Sequence, residues 1–129
     1  MRPILRLSPV ALAALVTLVA VPAFADGSGG VTVGPARKAG DVKFTAPAAM
    51  HMNKDYPWKI KDGSGKALRH NKNGDFTFEG GSGDHPTSAS VTPVAGTLTG
   101  GYCDDDTNKP GAGCHTFTAT CTDKGCTLN

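Results

Sequence analysis

Four cysteines are the residues of this chain whose type and spacing most directly suggest chemistry. They are Cys103, Cys114, Cys121 and Cys126, separated by ten, six and four intervening residues. Structural zinc sites favour paired short spacings such as C-x2-C, whereas an even number of cysteines in a small exported domain favours disulfides. The cysteines therefore predict two disulfides, provided that the chain is exported.

The amino-terminal segment predicts export. Residues 1–25 combine a basic start (Arg2 and Arg6), an apolar run, and the small residues Ala23 and Ala25 two positions apart. This is the pattern of a secretory signal peptide with an A-x-A cleavage site, and the apolar run is short for a membrane span. We expect a periplasmic or extracellular protein with no membrane span once the signal is removed.

The charge of the predicted mature chain gives no electrostatic signature for nucleic acid or anionic lipid. The whole sequence has 13 basic and 11 acidic residues, and removing Arg2 and Arg6 with the signal leaves 11 basic residues against 11 acidic ones. A balanced, interspersed charge pattern predicts that nucleic acid is not a partner. The identity of a protein partner and the oligomeric state stay open.

Short alternating segments predict an all-β fold. Residues 26–40 are rich in glycine and predict a flexible leader with room for a short edge strand. In residues 41–129, alternation places Phe44, Trp58 and Phe117 on inward faces, and the single tryptophan is the expected centre of the core. Turn signals about every eight to twelve residues favour one small antiparallel β-sandwich over residues 41–129.

Strand geometry ranks the three ways of pairing the cysteines. If Cys114 to Cys121 is one strand, its ends lie roughly 23 Å apart at about 3.3 Å per residue, too far for a disulfide, whose Cα atoms lie within about 7 Å. Of the two remaining schemes, Cys103–Cys121 leaves its partners out of register, whereas Cys103 and Cys114 can face each other across a hairpin. We therefore predict the disulfides Cys103–Cys114 and Cys121–Cys126.

The end of the chain resembles a known redox domain. Residues 117–126, Phe-Thr-Ala-Thr-Cys-Thr-Asp-Lys-Gly-Cys, are similar to a strand–turn–strand in the amino-terminal domain of the bacterial thiol:disulfide interchange protein DsbD. Residues 51–57, His-Met-Asn-Lys-Asp-Tyr-Pro, are similar to a segment of small exported bacterial proteins of unknown function. The resemblance implies an immunoglobulin-like sandwich. If redox chemistry comes with it, the resemblance implies Cys121 and Cys126 as the reactive pair.

One acidic segment has the spacing of a cation-binding loop. Asp104, Asp106 and Asn108 present side-chain oxygens at alternating positions, as calcium loops do. The sixth position of such a loop is normally glycine, and here it is Lys109. This favours a solvated acidic loop, with weak calcium binding as the alternative.

A methionine–histidine–methionine segment has residue types that suit copper(I). Met50, His51 and Met52 offer thioether and imidazole ligands. On a strand, however, His51 faces away from both methionines, which favours methionines that pack in the core. The other three histidines are predicted to be isolated polar residues: His70, His85 and His115.

No motif of hydrolytic catalysis accompanies these residues. The sequence contains neither a nucleophile elbow nor an H-E-x-x-H segment, so we expect a non-enzymatic protein without a cofactor. The leading hypothesis is an exported structural or interaction domain with an unidentified partner. The alternatives are a thiol–disulfide exchange module that uses Cys121 and Cys126 and, with less support, a calcium- or copper-binding protein.

Overall fold

The structure, a computed structural model, describes residues 29–129. The predicted signal peptide, residues 1–25, lies outside the described residues. The described part of the chain forms ten short strands and one 3₁₀ turn, η1 (Asn71–Asn73). In chain order the strands are β1 (Thr32–Pro35), β2 (Val42–Thr45), β3 (Met50–Met52), β4 (Lys59–Lys61), β5 (Ala67–His70), β6 (Phe76–Glu79), β7 (Ser88–Val91), β8 (Gly96–Asp104), β9 (Cys114–Thr122) and β10 (Gly125–Leu128).

The strands form two antiparallel sheets. The first sheet has the order β1-β2-β7-β6, and the second has the order β10-β9-β8-β4-β5, with β3 also paired to β8. All the paired strands run antiparallel. The prediction of a small all-β, antiparallel, two-sheet sandwich is therefore confirmed.

Trp58 lies at the centre of the core between the two sheets, as predicted. Its side chain is fully buried, and its ring lies 5.6 Å from Phe76 and 5.4 Å from Phe78 in the first sheet. On the other side its ring lies 5.5 Å from Phe117 in the second sheet. One aromatic side chain thus joins the two layers, and its Nε1 donates a hydrogen bond to the Asn53 carbonyl at 2.8 Å.

The alternation of apolar residues predicts the inward faces correctly. The buried cluster includes the three residues that were expected to point inward, Phe44, Trp58 and Phe117, together with alternating residues of both sheets: Val42, Ile60, Phe76, Ala89, Val91, Leu98, Tyr102, Ala119 and Cys121. Because successive side chains of a strand point to opposite faces, this pattern also fixes which side chains are left outside. The polar residues of β3, β8 and β9 can therefore form a surface site.

Two glycines of β8 make room for the aromatic residues of the core. A Cβ atom built on Gly100 would lie 2.5 Å from Cζ3 of Trp58, and one built on Gly101 would lie 2.9 Å from Cγ of Tyr56. Both distances are shorter than ordinary carbon–carbon contacts. These positions require glycine for the close approach of the aromatic rings, which explains the Gly-Gly pair in the middle of a long strand.

The folded domain begins inside the segment that was predicted as a leader. Strand β1 pairs with β2 from Thr32 to Pro35, and Val31 is almost fully buried. The edge strand anticipated within residues 26–40 is therefore present as β1. It places the start of the sandwich before residue 41, because Val31 and Val33 pack against the core.

Both predicted disulfides are present, and both involve β9. Cys114 lies opposite Cys103 of β8 in the strand register, and Cys121 lies opposite Cys126 of β10. The disulfides join these registered pairs. Each is a direct cross-strand link, as expected from the requirement that the two Cα atoms be close.

Candidate functional site

A cleft of about 280 Å³ opens beside the Cys103–Cys114 disulfide. We call it the histidine cleft, and its lining residues are His51, His85, Cys103, Asp104, Asp105, Thr107, Gly113 and Cys114. The residues come from β3, from the turn before β7, and from the end of β8, the start of β9 and the loop between them. The cleft thus lies where three segments far apart in the sequence meet.

His51 is held in the cleft by the alternation of strand β3. The neighbouring methionines point inward: Met52 is fully buried and Met50 packs against the core. His51 therefore points outward, where its Nδ1 lies 2.7 Å from Oδ1 of Asp105. Its side chain is only 13% exposed, whereas that of Asp105 is 43% exposed, so the imidazole is largely covered and the carboxylate faces solvent. Met50, His51 and Met52 do not converge on one point.

His85 completes the cleft from a different segment. It ends a tight turn in which its N–H donates to the Ser82 carbonyl at 2.9 Å. Its ring stacks on His51 with a centroid separation of 3.9 Å and an interplanar angle of 7°. Its Nδ1 lies 3.6 Å from Asp105 Oδ1, and its side chain is 51% exposed. The prediction that His85 is isolated is therefore wrong.

Backbone hydrogen bonds fix the three segments to one another. The Asp105 N–H donates to the Ala49 carbonyl at 3.0 Å, and the Met52 N–H donates to the Pro86 carbonyl at 2.7 Å. These bonds attach both sides of the cleft to β3, next to His51. The relative positions of the two imidazoles and the carboxylate are thus set by the backbone as well as by the side chains.

Ala49 has a strained backbone directly beside the cleft. Its φ is +64°, the one positive φ at a non-glycine residue among residues 29–129. A left-handed conformation costs roughly 1–2 kcal/mol for an ordinary L-residue, and such strain tends to occur at functional sites. Ala49 is the third residue of a turn that the Met50 N–H closes on the Pro47 carbonyl at 3.2 Å, and its own carbonyl accepts from the Asp105 N–H.

Asp104 is the second carboxylate of the cleft, and it is already paired. Its side chain is only 2% exposed, and Oδ1 lies 2.8 Å from Lys109 Nζ. The Gly113 N–H donates to Oδ2 at 3.1 Å, and His115 Nε2 lies 3.5 Å from the same oxygen. The hydrogen bond from Lys109 lowers the pKa of Asp104 below its ordinary value, although burial opposes that shift. The same contact raises the pKa of Lys109.

These contacts show that the residues predicted as calcium ligands stabilise the local structure of the loop. Asp104 holds the loop between β8 and β9 together from inside, with the ammonium of Lys109 beside its carboxylate. Asp106 accepts a hydrogen bond from the Asn108 N–H at 2.9 Å, which closes a turn. The cleft contains Asp104 from this set, but its converging carboxylate is Asp105.

His70 and His115 lie outside the stacked pair. His70 Nδ1 accepts a hydrogen bond from the Lys72 N–H at 3.0 Å and caps the 3₁₀ turn η1. His115 packs beside Tyr102, with ring centroids 5.2 Å apart, as well as beside Asp104. His115 is therefore not isolated either, but neither residue contributes to the stack.

Cys121 and Cys126 lie at a second, wider depression. Cys121 is buried, whereas Cys126 is half-buried and lines a groove of about 390 Å³ between the edge strands β1 and β10. We call it the edge groove; Lys124 also lines it. Of the predicted redox pair, Cys126 therefore lines a surface depression, away from the histidines, and Cys121 is buried.

The histidine cleft has the chemistry of a binding site. Two imidazoles and one carboxylate offer atoms that all lie within 4.8 Å of one another. Neutral imidazole nitrogens and carboxylate oxygens can accept hydrogen bonds or bind a cation. In residues 29–129 this is the one cluster of three metal-ligand side chains so close together.

Comparisons with protein-family models, with curated proteins and with solved structures give no match for this chain. In the described part of the chain, no helix has the length and apolarity needed to cross a bilayer. The structural support for a function therefore comes from the geometry of the chain itself.

Proposed function

We propose that this chain is an exported, non-enzymatic binding domain whose ligand binds in the histidine cleft. The observation that carries the proposal is the convergence of His51, His85 and Asp105 in a cleft that opens to solvent. Partly exposed polar groups that converge in a concave site are the usual mark of a binding site. The signal-like amino terminus and the two disulfides support an oxidising, exported location.

The rigid surroundings of His51 and Asp105 favour a binding role over catalysis that depends on loop movement. His51 lies on a strand, and Asp105 follows directly on β8, next to a disulfide that closes its loop. Sites held on strands and supported by neighbouring hydrogen bonds keep their geometry without the ligand. His51 and Asp105, preformed in this way, lose little conformational entropy when a ligand enters, whereas the half-exposed His85 side chain keeps the freedom to rotate.

The proposal can be tested without knowing the ligand, by measuring how fast each histidine is modified. Diethyl pyrocarbonate acylates accessible imidazoles, and mass spectrometry resolves the four sites. We expect that an extract of the native exported fraction slows modification of His51 and His85. His70 serves as the internal control and should react at an unchanged rate, because it lies outside the cleft.

Separating the extract by ultrafiltration into macromolecules and small solutes then identifies the class of ligand. Protection of His51 and His85 by either fraction supports the proposal. The proposal is contradicted if no fraction protects them, or if His70 is protected equally.

A second candidate function is thiol–disulfide exchange at Cys121–Cys126. The observation that favours it is that the half-buried Cys126 lines the edge groove together with Lys124, since a disulfide near a cation reacts more readily with thiolates. The resemblance to the DsbD amino-terminal domain supports the same pair. An incoming dithiol would be oxidised to a disulfide while Cys121 and Cys126 become thiols.

Alkylation after equilibration in graded glutathione redox buffers tests this second function. Exchange predicts that Cys121 and Cys126 open at moderate potentials while Cys103 and Cys114 stay oxidised. If both disulfides resist reduction across the whole range, both are structural and the exchange function is rejected.

A further inference from the structure

We propose that the ligand of the histidine cleft is a divalent transition-metal ion of the zinc and copper type, held by His51, His85 and Asp105. This inference rests on the proposed binding role of the cleft and specifies its ligand. Two imidazole nitrogens and one carboxylate oxygen form a donor set that suits zinc and copper. Calcium and magnesium prefer sites made of oxygen atoms, so they are not the expected ions.

The distances between the donor atoms fit one metal ion after a small adjustment. Zinc–ligand bonds of about 2.0 Å in a tetrahedron place the donor atoms about 3.3 Å apart. Asp105 Oδ1 lies 3.6 Å from His85 Nδ1 and 2.7 Å from His51 Nδ1. The first distance is close to this spacing before His85 rotates, and the second is a hydrogen bond that opens slightly when an ion replaces the proton between the two atoms.

The stacked rings show which side chain must move. A metal ion binds a histidine nitrogen close to the plane of the ring, so two parallel rings 3.9 Å apart cannot both bind the same ion without a rotation. His85 is the residue that can rotate, because it lies on a short turn and its side chain is 51% exposed. His51 is 13% exposed and is held by Asp105. The site therefore closes by rotation of His85 onto a fixed His51–Asp105 pair.

The charges around the cleft favour a cation at this position. With neutral imidazoles, the three ligands carry the single negative charge of Asp105. The neighbouring lysines do not oppose the ion, because Lys109 pairs with Asp104 at 2.8 Å and Lys54 pairs with Asp84 at 3.0 Å. Three protein ligands leave the fourth tetrahedral position free for water or for a group of a partner.

Backbone hydrogen bonds hold the segments that carry the ligands. Metal ligands are normally oriented by further hydrogen bonds around them. Here the Asp105 N–H donates to the carbonyl of Ala49, whose φ is +64°. The Met52 N–H donates to the carbonyl of Pro86, the residue that follows His85.

The test is a calorimetric titration of chelator-treated full-length protein with Zn²⁺ and, separately, with Cu²⁺. We expect one ion per chain. His85→Gln should weaken binding by roughly 100-fold, since loss of an outer partner alone costs about 10–100-fold. Asp105→Asn should weaken it by at least roughly 10-fold. His70→Gln is the matched control and should bind as the wild type does, because His70 lies outside the cleft.

A loss of metal binding in His85→Gln can be attributed to the site, because the substitution is not expected to disturb folding. His85 lies on a half-exposed turn, so His85→Gln is expected to keep the circular-dichroism spectrum and the unfolding midpoint of the wild type. Binding that survives His85→Gln and Asp105→Asn, or that is weakened equally by His70→Gln, overturns the inference.

The two proposals fail in different ways. If neither ion binds the wild type, while an extract still protects His51 and His85 from modification, the metal inference is overturned and the binding function stands. If Zn²⁺ or Cu²⁺ binds and itself protects both histidines, both proposals are supported.

Discussion

The two ends of strand β9 use the same covalent link for different purposes. At one end Cys114 is bonded to Cys103 of β8, and at the other Cys121 is bonded to Cys126 of β10. Both disulfides join residues that are directly opposite in the strand register. The difference lies in what each bond closes.

The Cys103–Cys114 end closes a loop that carries carboxylates of the histidine cleft, whereas the Cys121–Cys126 end closes a tight turn. The first loop holds Asp104 and Asp105 beside the stacked histidines. The second end borders the edge groove, which is lined by apolar and glycine residues, Asp41 and Lys124. A cross-strand disulfide therefore tells little about function by itself; the side chains between its cysteines decide it.

Removing the first disulfide is expected to have the largest effect. Cys103→Ala with Cys114→Ala opens a link over 11 residues, which should lower the free energy of unfolding by roughly 3 kcal/mol on chain-entropy grounds. Removing Cys121 and Cys126 in the same way opens a link over 5 residues and should cost roughly 2 kcal/mol. Urea unfolding followed by the fluorescence of Trp58 measures both.

The same pair of double variants separates the roles of the two ends. Loss of Cys103–Cys114 should also change the modification rates of His51 and His85, because the loop that carries Asp105 is released. Loss of Cys121–Cys126 should leave those rates unchanged. An equal effect of both double variants on the cleft would contradict the distinction.

A substitution in the middle of β8 tests whether the same aromatic core supports both disulfide-linked ends of β9. Gly100→Ala places a methyl group 2.5 Å from Cζ3 of Trp58, and such overpacking should lower the free energy of unfolding by about 1–3 kcal/mol. Gly34→Ala is the control: a Cβ there meets no atom within 4 Å, so stability should stay within about 0.5 kcal/mol. Equal losses in the two variants would show that β8 has no such close contact with the core.

Acidification should weaken the first end through Asp104. The pKa of Asp104 is lowered in the folded chain, chiefly by the hydrogen bond from Lys109. A lowered folded pKa gives stability that is present above the ordinary value of 3.8 and is lost as the pH falls through the folded value. The stability of Asp104→Asn should therefore fall less steeply with decreasing pH than that of the wild type, which gives a flatter acid limb in a plot of stability against pH.

The measurement for Asp104 is the urea midpoint of both proteins from about pH 7 to about pH 2. Asp84→Asn is the comparison variant: Lys54 lowers the pKa of Asp84 too, but this carboxylate is exposed, so its removal should change the acid dependence less than Asp104→Asn does. A steeper acid limb in Asp104→Asn than in the wild type would contradict the assignment of Asp104 as the anchor of the loop.

The smallest effect is expected from the ion pair beside His85. Lys54→Ala removes a contact of 3.0 Å between side chains that are 41% and 86% exposed, and exposed pairs of this kind add little to stability. The urea midpoint should not change measurably. A clear loss of stability would mean that this pair, and not the backbone, holds the His85 turn in place.

The fold could be predicted from the sequence because its signals are local. Alternation in short segments places Phe44, Trp58 and Phe117 inside, and all three are buried. The register around β9 follows from the same alternation and determines which cysteines can face each other. Strand β1 was harder to predict because its burial depends on pairing with β2, and its glycine-rich surroundings resemble a linker.

The histidine cleft could not be predicted from local signals because its members are distant in sequence. His51 and Asp105 are separated by 54 positions, and they meet because β3 pairs with the end of β8. His85 lies in a glycine-rich loop whose position depends on contacts with β3. Only the outward direction of His51 could be inferred, and its surroundings required the sheet order.

The most direct test of the account is an NMR spectrum of the imidazole nitrogens of the full-length protein before and after addition of Zn²⁺. If His51 and His85 bind the same ion, their resonances shift together and saturate at one equivalent of Zn²⁺, while those of His70 stay in place. Shifts at all four histidines in proportion to their exposure, or no shift at His51 and His85, would contradict it.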